Sequence, residues 1–401
     1  MLIEVLISVA LGVIAGTITG LVPGIHVNLV SVFLVTISPF VLKYFSPATI
    51  ACFIISMATV HTFLDAIPAI FLGAPEAGTS LNVLPGHKFL EKGRGYEAVK
   101  LTITGSLLSL IITAALVPIA IAVLPRVYPW IHYNLSIILV IVMVFMIAKE
   151  PCLNKKFWGF VLLLLAGVLG LVVLNMHNLK NPLFPMLSGI FGIPLLMLAV
   201  HNKTSVPEQT TECFEVSWKQ SFKAVFAAVA SGCATAVIPG VGAATAALIA
   251  SQFFRKSLST LMIVLGGVTT ANFVFSLATL FAVEKARNGA VVAVLDIISA
   301  LRIEHAALFI ACILAAGGIA SVLGIIIAKR FAELITEIRY DKLCIVIICF
   351  IVLVAYILSG TIGLLVLITS TGLGISISLL GVKRSIGMGC LMIPVVMYFV
   401  M

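Results

Sequence analysis

A histidine and an aspartate stand four residues apart in the otherwise apolar run HTFLDAIPAIFLG, residues 61–73. Positions i and i+4 share one face of a helix, so His61 and Asp65 would point the same way. Pro68 follows on the same helix and disrupts it, because proline brings no backbone donor. A carboxylate at membrane depth is costly, and where one occurs it usually lines an ion path or a cavity. Asp65 is therefore a candidate for binding a coupling proton or Na⁺, with His61 as its partner. The plainer alternatives are an interfacial Asp65 or a purely structural pair.

Two further stretches interrupt apolar helices with an adjacent Pro and Gly: GLVPGIHVN (20–28) and AVIPGVGAA (236–244). In hydrocarbon every backbone N–H and C=O needs a partner, so such breaks survive only where protein or a watery cavity satisfies the freed groups. Two breaks at corresponding places in two halves of a chain are the sequence pointer to a transporter's binding site. Half-helix N-termini there present N–H groups to an anion, and freed carbonyls suit Na⁺. The residues nominated to contact substrate are Pro23, Gly24, His26 and Asn28 at the first break, and Pro239, Gly240 and Gly242 at the second. Thr269, Thr270 and Asn272 of GGVTTANF join them, since uncharged oxygens suit cations or substrate hydroxyls. Gly78, Thr79 and Ser80 could line a re-entrant turn. Lys88 and Arg94 are weaker candidates for holding carboxylates, and Asp296 is a second candidate buried acid, ranked below Asp65.

The elements that must position these residues follow from composition. Of 401 residues 62% are hydrophobic and 10% charged, with a mean hydropathy of +1.25. Soluble domains carry roughly 25% charged residues, so the bilayer is the solvent for most of this chain. Apolar runs of helix-spanning length exclude a barrel. The expected fold is an all-α polytopic membrane protein of about 12 to 14 membrane segments. They lie near 2–20, 27–45, 47–72, 99–124, 130–148, 157–176, 184–200, 220–237, 241–254, 259–283, 303–328, 342–359, 361–381 and 386–400. The first reads as a retained helix, since no basic n-region or cleavage site precedes it. The net charge of +9 sits in short loops, as inner-leaflet anchoring requires, with 149–156 and 383–384 the preferred cytosolic loops. No contiguous basic patch suits a nucleic acid. The eight cysteines form no metal-spaced cluster and read as small hydrophobes, and no metal site is implied.

HNKTSVPEQTTECFEVSWKQ (201–220) is the stretch that resembles a hydrophilic linker, and it falls at mid-chain. At an offset of 216 it separates Val13, Gly16, Thr19 and Pro23-Gly24 from Val229, Gly232, Thr235 and Pro239-Gly240. A second match at offset 210 lays TFLDAIPAIF (62–71) over NFVFSLATLF (272–281). The expected organisation is a first membrane repeat 1–200 that includes the polar loop 73–99, a linker 201–219 and a second repeat 220–401. Gly16 with Thr19, and Gly232 with Thr235, put small residues on one helix face for close approach.

HExxH, GxGD, nucleophile-elbow and P-loop motifs are absent, and the Ser-Gly pairs at 231–232 and 359–360 have no convincing His partner. An enzyme is not expected. A channel-like or lipid-translocating protein without ion coupling remains the alternative to a coupled permease.

The run GxxxGxxxGLVPGIH (12–26), followed by GAPEAGTSLNVLPGHKFLEKGRGYEAV (73–99), resembles the large permease subunit of tripartite tricarboxylate transporters, the TctA family. The matching positions are Gly16, Gly20, Pro23-Gly24, Pro85-Gly86 and Gly95-Tyr96, and IPGVG (238–242) resembles the family's motif in the other half. The resemblance implies a cell-membrane secondary transporter for citrate or related di- and tricarboxylates, driven by Na⁺ or H⁺ with no other cofactor. It also implies two partners, a small four-helix membrane subunit and an extracytoplasmic solute-binding protein.

Overall fold

The computed structural model describes residues 2–22, 27–72, 83–179, 181–201, 207–211, 218–237, 247, 250, 257–284, 288–298, 301–337 and 340–400. Among them every regular element is a helix. The first half supplies α1 (Leu2–Leu21), α2 (Val27–Val41), α3 (Pro47–Leu64), α4 (Ala66–Phe71), α5 (Val83–Leu90), α6 (Gly95–Tyr133), α7 (Leu135–Ala148) and α8 (Leu153–Leu174). It closes with α9 (Leu183–Leu187), a π turn (Ser188–Gly192) and α10 (Ile193–His201). The second half supplies α11 (Trp218–Val237), α12 (Leu258–Val283), α13 (Gly289–Ile297), α14 (Ile303–Glu337) and α15 (Tyr340–Leu379), then a 3₁₀ turn (Arg384–Met388) and α16 (Gly389–Val400).

Seven stretches of these residues are long and apolar enough to cross a membrane, and four shorter apolar helices accompany them. The expected all-α polytopic fold is what the chain adopts. Side chains such as Ile18, Ile141, Ile357 and Leu365 face outward, where lipid and not water must meet them. Two spans differ from the rest. Pro47–Phe71 and Leu258–Val283 are each 89% buried, against 22–39% for the other five. They are the two segments that the offset of 210 pairs.

Both innermost spans start the same way. Ser46 and Ser257 are N-caps whose Oγ accepts from the backbone N–H of Thr49 and Thr260, each at 3.2 Å. The threonine hydroxyls close each cap at 2.8 and 2.9 Å. Pro47 then occupies the first turn of α3, where its missing N–H costs nothing.

Glycine decides which helices touch. A Cβ on Gly12, Gly16 or Gly20 of α1 would lie 2.5–2.9 Å from atoms of α3. Across α6 and α12 the fit is mutual: a Cβ on Gly105 would meet the Ile263 carbonyl oxygen at 2.0 Å, and one on Gly266 would meet that of Thr102 at 2.1 Å. A Cβ on Gly232 of α11 would stand 2.5 Å from that of Ala271 of α12. With no hydrophobic force between helices in lipid, this close packing is what holds them.

Two apolar cores result, and neither coincides with a half of the chain. The first gathers α1 to α6, α10 to α14 and the early turns of α15, with Ile54, Phe63, Phe273 and Phe309 at its centre. The second gathers α7 to α9, the π turn, the 3₁₀ turn and α16, around Leu163, Met186, Phe191 and Met392. The chain passes between cores at Asn134 and at the π turn, and beyond the irregular step at Gly360 α15 contributes to both, with Leu367 in the first and Val366 and Ile377 in the second. Gly360 has φ 64° and ψ −161°, a conformation that favours glycine and breaks α15 between the expected helices 342–359 and 361–381.

One boundary and one exposure differ from expectation. The break expected between 124 and 130 falls at Asn134, and α6 runs through Pro118, Pro125 and Pro129. The Asn134 side chain donates to the Trp130 carbonyl at 2.9 Å and ends the helix there. The expected segment 241–254 lies outside the described residues but for Ala247 and Ala250. Asp296 is exposed on the short helix α13 and is not a buried acid. The described part of the mid-chain linker is no free tether. Gln209 accepts from the Gly95 N–H at 2.8 Å and donates to the Leu90 carbonyl at 3.0 Å, strapping 207–211 onto the α5–α6 turn.

Candidate functional site

Pro68 sets the geometry of the site. It cannot donate to the Leu64 carbonyl, and its ring crowds that oxygen, so the helix from Ser46 yields one turn earlier. The break falls at Asp65, between α3 and α4. The Asp65 N–H still reaches the His61 carbonyl at 3.0 Å. Its side chain hangs at the interruption of one of the two innermost spans, 6% exposed, with His61 at 4%.

Three helices meet around this break. Gly20 of α1 packs against Leu64, Asp65 and His61, where a Cβ would stand 2.9–3.4 Å from them. Thr19, the neighbour of that glycine, places Oγ1 3.3 Å from His61 Nδ1. Its other hydrogen bond goes to the Gly16 carbonyl at 3.2 Å. On the opposite side Thr62 Oγ1 lies 3.3 Å from Thr270 Oγ1 of α12. Thr270 is fully buried and Thr269 is 7% exposed, while Asn272 two residues on is half-buried against Gly232 of α11. The turn of α3 that carries His61 and Asp65 thus meets the nominated Thr270 of α12, more than 200 positions away, through Thr62. This junction offers a carboxylate, an imidazole and a row of hydroxyls, groups suited to a proton or a small cation and to the polar end of a solute.

The other nominated residues fall differently. Pro23, Gly24, His26, Gly78, Thr79, Ser80, Pro239, Gly240 and Gly242 lie outside the described residues. Asn28 falls in the first turn of α2, its side chain outside the described part. Lys88 is exposed. Arg94 does not wait for a substrate carboxylate: it grips Glu97 with two bonds of 2.6 and 2.7 Å and lies over the Phe89 ring. Among the described residues no group of three or more His, Cys, Asp or Glu is placed to hold a metal.

Thr19 and Thr62 do more at the junction than their sequence context advertised. The repeat offsets carry the signal for both, pairing Thr19 with Thr235 and Thr62 with Asn272. A charged cluster at one end of the second core had no such signal. Lys383 donates its backbone N–H to Glu150 Oε1 at 3.2 Å, and its Nζ lies 3.7 Å from the same oxygen and against the Lys149 carbonyl. The basic loops 149–156 and 383–384 therefore meet at one end of the molecule.

Residues 6–389 match the family described as the tripartite tricarboxylate transporter TctA family. The chain belongs to that family. It is accordingly a multi-pass membrane transporter subunit and not an enzyme, and the family works with other subunits of a tripartite system. An uncharacterized protein of Methanocaldococcus jannaschii is 28% identical over 384 residues, covering 94% of each chain. No solved structure matches this TctA chain.

Proposed function

We propose that this TctA chain is a secondary-active permease for small organic anions, tricarboxylates or dicarboxylates such as citrate, coupled to Na⁺ or H⁺. The observation that carries the reading is Asp65, a buried carboxylate at a helix break whose neighbouring turn reaches the hydroxyls of α12. An acid there has no packing purpose that an apolar residue would not serve better, and its charge changes when a proton or cation arrives. Thr62 and Thr270, which meet at 3.3 Å, support the reading with neutral oxygens one turn from Asp65, and Thr269 and Asn272 belong to the same proposed site.

The two-repeat organisation belongs to the same proposal. Its support is the matched burial of α3–α4 and α12, their matched Ser-x-x-Thr caps and the glycine contacts that α1 and α11 make with them. Alternating access is then movement of the first core, which carries the junction, against the second as scaffold. The backbone irregularities at Asn134, the π turn and Gly360 lie where such movement needs compliance. A small four-helix membrane subunit and a solute-binding protein would complete the working system.

The test is uptake of labelled citrate into proteoliposomes holding the purified chain, alone and with its candidate partners, under inward Na⁺ or H⁺ gradients. Accumulation above equilibrium is expected from the wild type and none from Asp65→Asn of unchanged melting temperature. Gradient-driven accumulation by Asp65→Asn would sink the role given to this carboxylate. Downhill flux with no accumulation in the wild type would replace the permease with a channel.

A further inference from the structure

The second core carries an arginine whose hydrogen bonds among the described residues go to neutral acceptors. Arg384 opens the 3₁₀ turn after α15, part-buried. Its guanidinium donates to two neutral acceptors at long range, the Phe191 carbonyl at 3.4 Å and Ser378 Oγ at 3.3 Å. Among the described residues no carboxylate pairs with it. Glu150, the acid of the adjoining loop, is turned to the neighbouring Lys383. A planar fork of five donors that makes two long neutral contacts has capacity left for an anion.

Two further features lie on the turn that Arg384 touches. The acceptor Phe191 belongs to the π turn Ser188–Gly192, and π bulges concentrate at functional sites. Packed on that turn through Gly189 is Ser370 of α15, fully buried, whose hydroxyl finds no partner in the protein. The π turn is a point at which the chain passes between the two cores, with Phe191 in the second and Ile193 in the first, so Arg384 sits at their boundary.

We propose that Arg384 is the anion-recognition residue of the chain, gripping one carboxylate group of the solute at the boundary between the two cores. This rests on the carboxylate-permease reading and adds to it the residue that reads the negative charge. It also divides the labour: Asp65 answers to the coupling cation on the first core, and Arg384 to the solute on the second. A solute held from both cores is the one ligand that movement between them would have to carry or release.

Equilibrium binding of citrate and of succinate to the purified full-length chain in detergent, by titration calorimetry, tests this without requiring transport. Loss of the fork weakens binding by about tenfold or more in Arg384→Gln, the change expected for removing a charge-assisted bidentate contact. Arg384→Lys, which keeps the charge without the fork, falls between that variant and the wild type. Melting temperatures read alongside show whether each variant is folded, and if Arg384→Gln is not, Arg384→Lys decides. Wild-type affinity in a folded Arg384→Gln, or in Arg384→Lys when it must decide, overturns the proposal. So does a wild-type chain that binds neither acid. Citrate binding that depends on Arg384 in a chain showing no coupled uptake would leave this site standing and remove the symport reading. Coupled uptake unaffected by Arg384→Gln would do the reverse.

Discussion

The mutual glycine crossing of α6 and α12 supports a quantitative prediction. Alanine at Gly105 brings a methyl carbon to 2.0 Å from the Ile263 carbonyl oxygen, and alanine at Gly266 brings one to 2.1 Å from that of Thr102. Ordinary contact begins near 3.4 Å, so either methyl forces the helix axes apart by about 1.3–1.4 Å. The obstructing atoms are backbone in both directions and cannot swing aside. Overpacking of this kind costs about 1–3 kcal/mol, and an unyielding neighbour puts it near the top of that range. Alanine returns about 1 kcal/mol through its better helix propensity. Each single variant should therefore lose about 2 kcal/mol, read from SDS-induced unfolding of the purified chain. Because one separation relieves both clashes, the double variant should lose little more than a single one, well short of the sum. Gly318→Ala is the control, since nothing lies within 4 Å of a Cβ there. Parting α6 from α12 also displaces Thr270 from Thr62, so citrate uptake should fall in the same variants. A single variant as stable as the wild type, or a double variant that loses the full sum, would refute the reasoning.

Two further outcomes follow from the charged groups outside the long spans. Burial, aided by the Arg384 charge, pushes the His87 pKa down to about 4, against about 6.5 in an unfolded chain. The unfolded state alone binds this proton between those values, so stability falls as pH drops from about 6.5 towards 4, by roughly 3 kcal/mol in all. Glu97 of the packed helix α6 is spent on Arg94 and does not offset the effect. Melting temperatures across that window should fall less steeply in His87→Gln, and an identical slope would refute the assignment. The Glu150 side chain is fully buried against Lys383, itself 30% exposed. Lys383→Met should cost about 2 kcal/mol, because it strands a buried carboxylate beside partial solvent. Adding Glu150→Gln should recover most of that loss in the same unfolding assay, and no recovery would exclude the ion pair as the cause.

What the sequence disclosed was local. Pro68 forecast the interruption at Asp65, and the irregular step near residue 360 was legible as the boundary between the apolar runs 342–359 and 361–381. The burial of α3 and α12 was foreshadowed by Asp65 and by the Thr-Thr-Ala-Asn cluster, polar residues that a lipid-facing helix would not carry. The continuation of α6 past three prolines was not legible, because what rescues a proline in such a helix is the surrounding protein. Asp296 looked buried for the opposite reason: its flanking residues are apolar, yet they bury the other face of a short helix. Arg384 and Glu150 were invisible as site residues because their partners lie more than 190 positions away, and loop composition alone reads as membrane anchoring.

The division of the chain into two cores has a consequence for how the protein is made. Residues 135–191 find the rest of their core only in residues 362–399, so when the ribosome has delivered the first half, α7 to α9 stand in the bilayer without α16. Gly167 and Gly170 of α8, which receive Ile393 and the backbone of Cys390, present an open groove to lipid throughout that interval. The first core is equally unfinished, because α6 waits for α12 across their glycines. Neither core can close until synthesis is nearly complete. Cutting the chain at its central linker would thus give two fragments that each lack half of both cores. Co-expressed, they should reassemble by helix association in the membrane, whereas either fragment alone should be a substrate for membrane quality-control proteolysis.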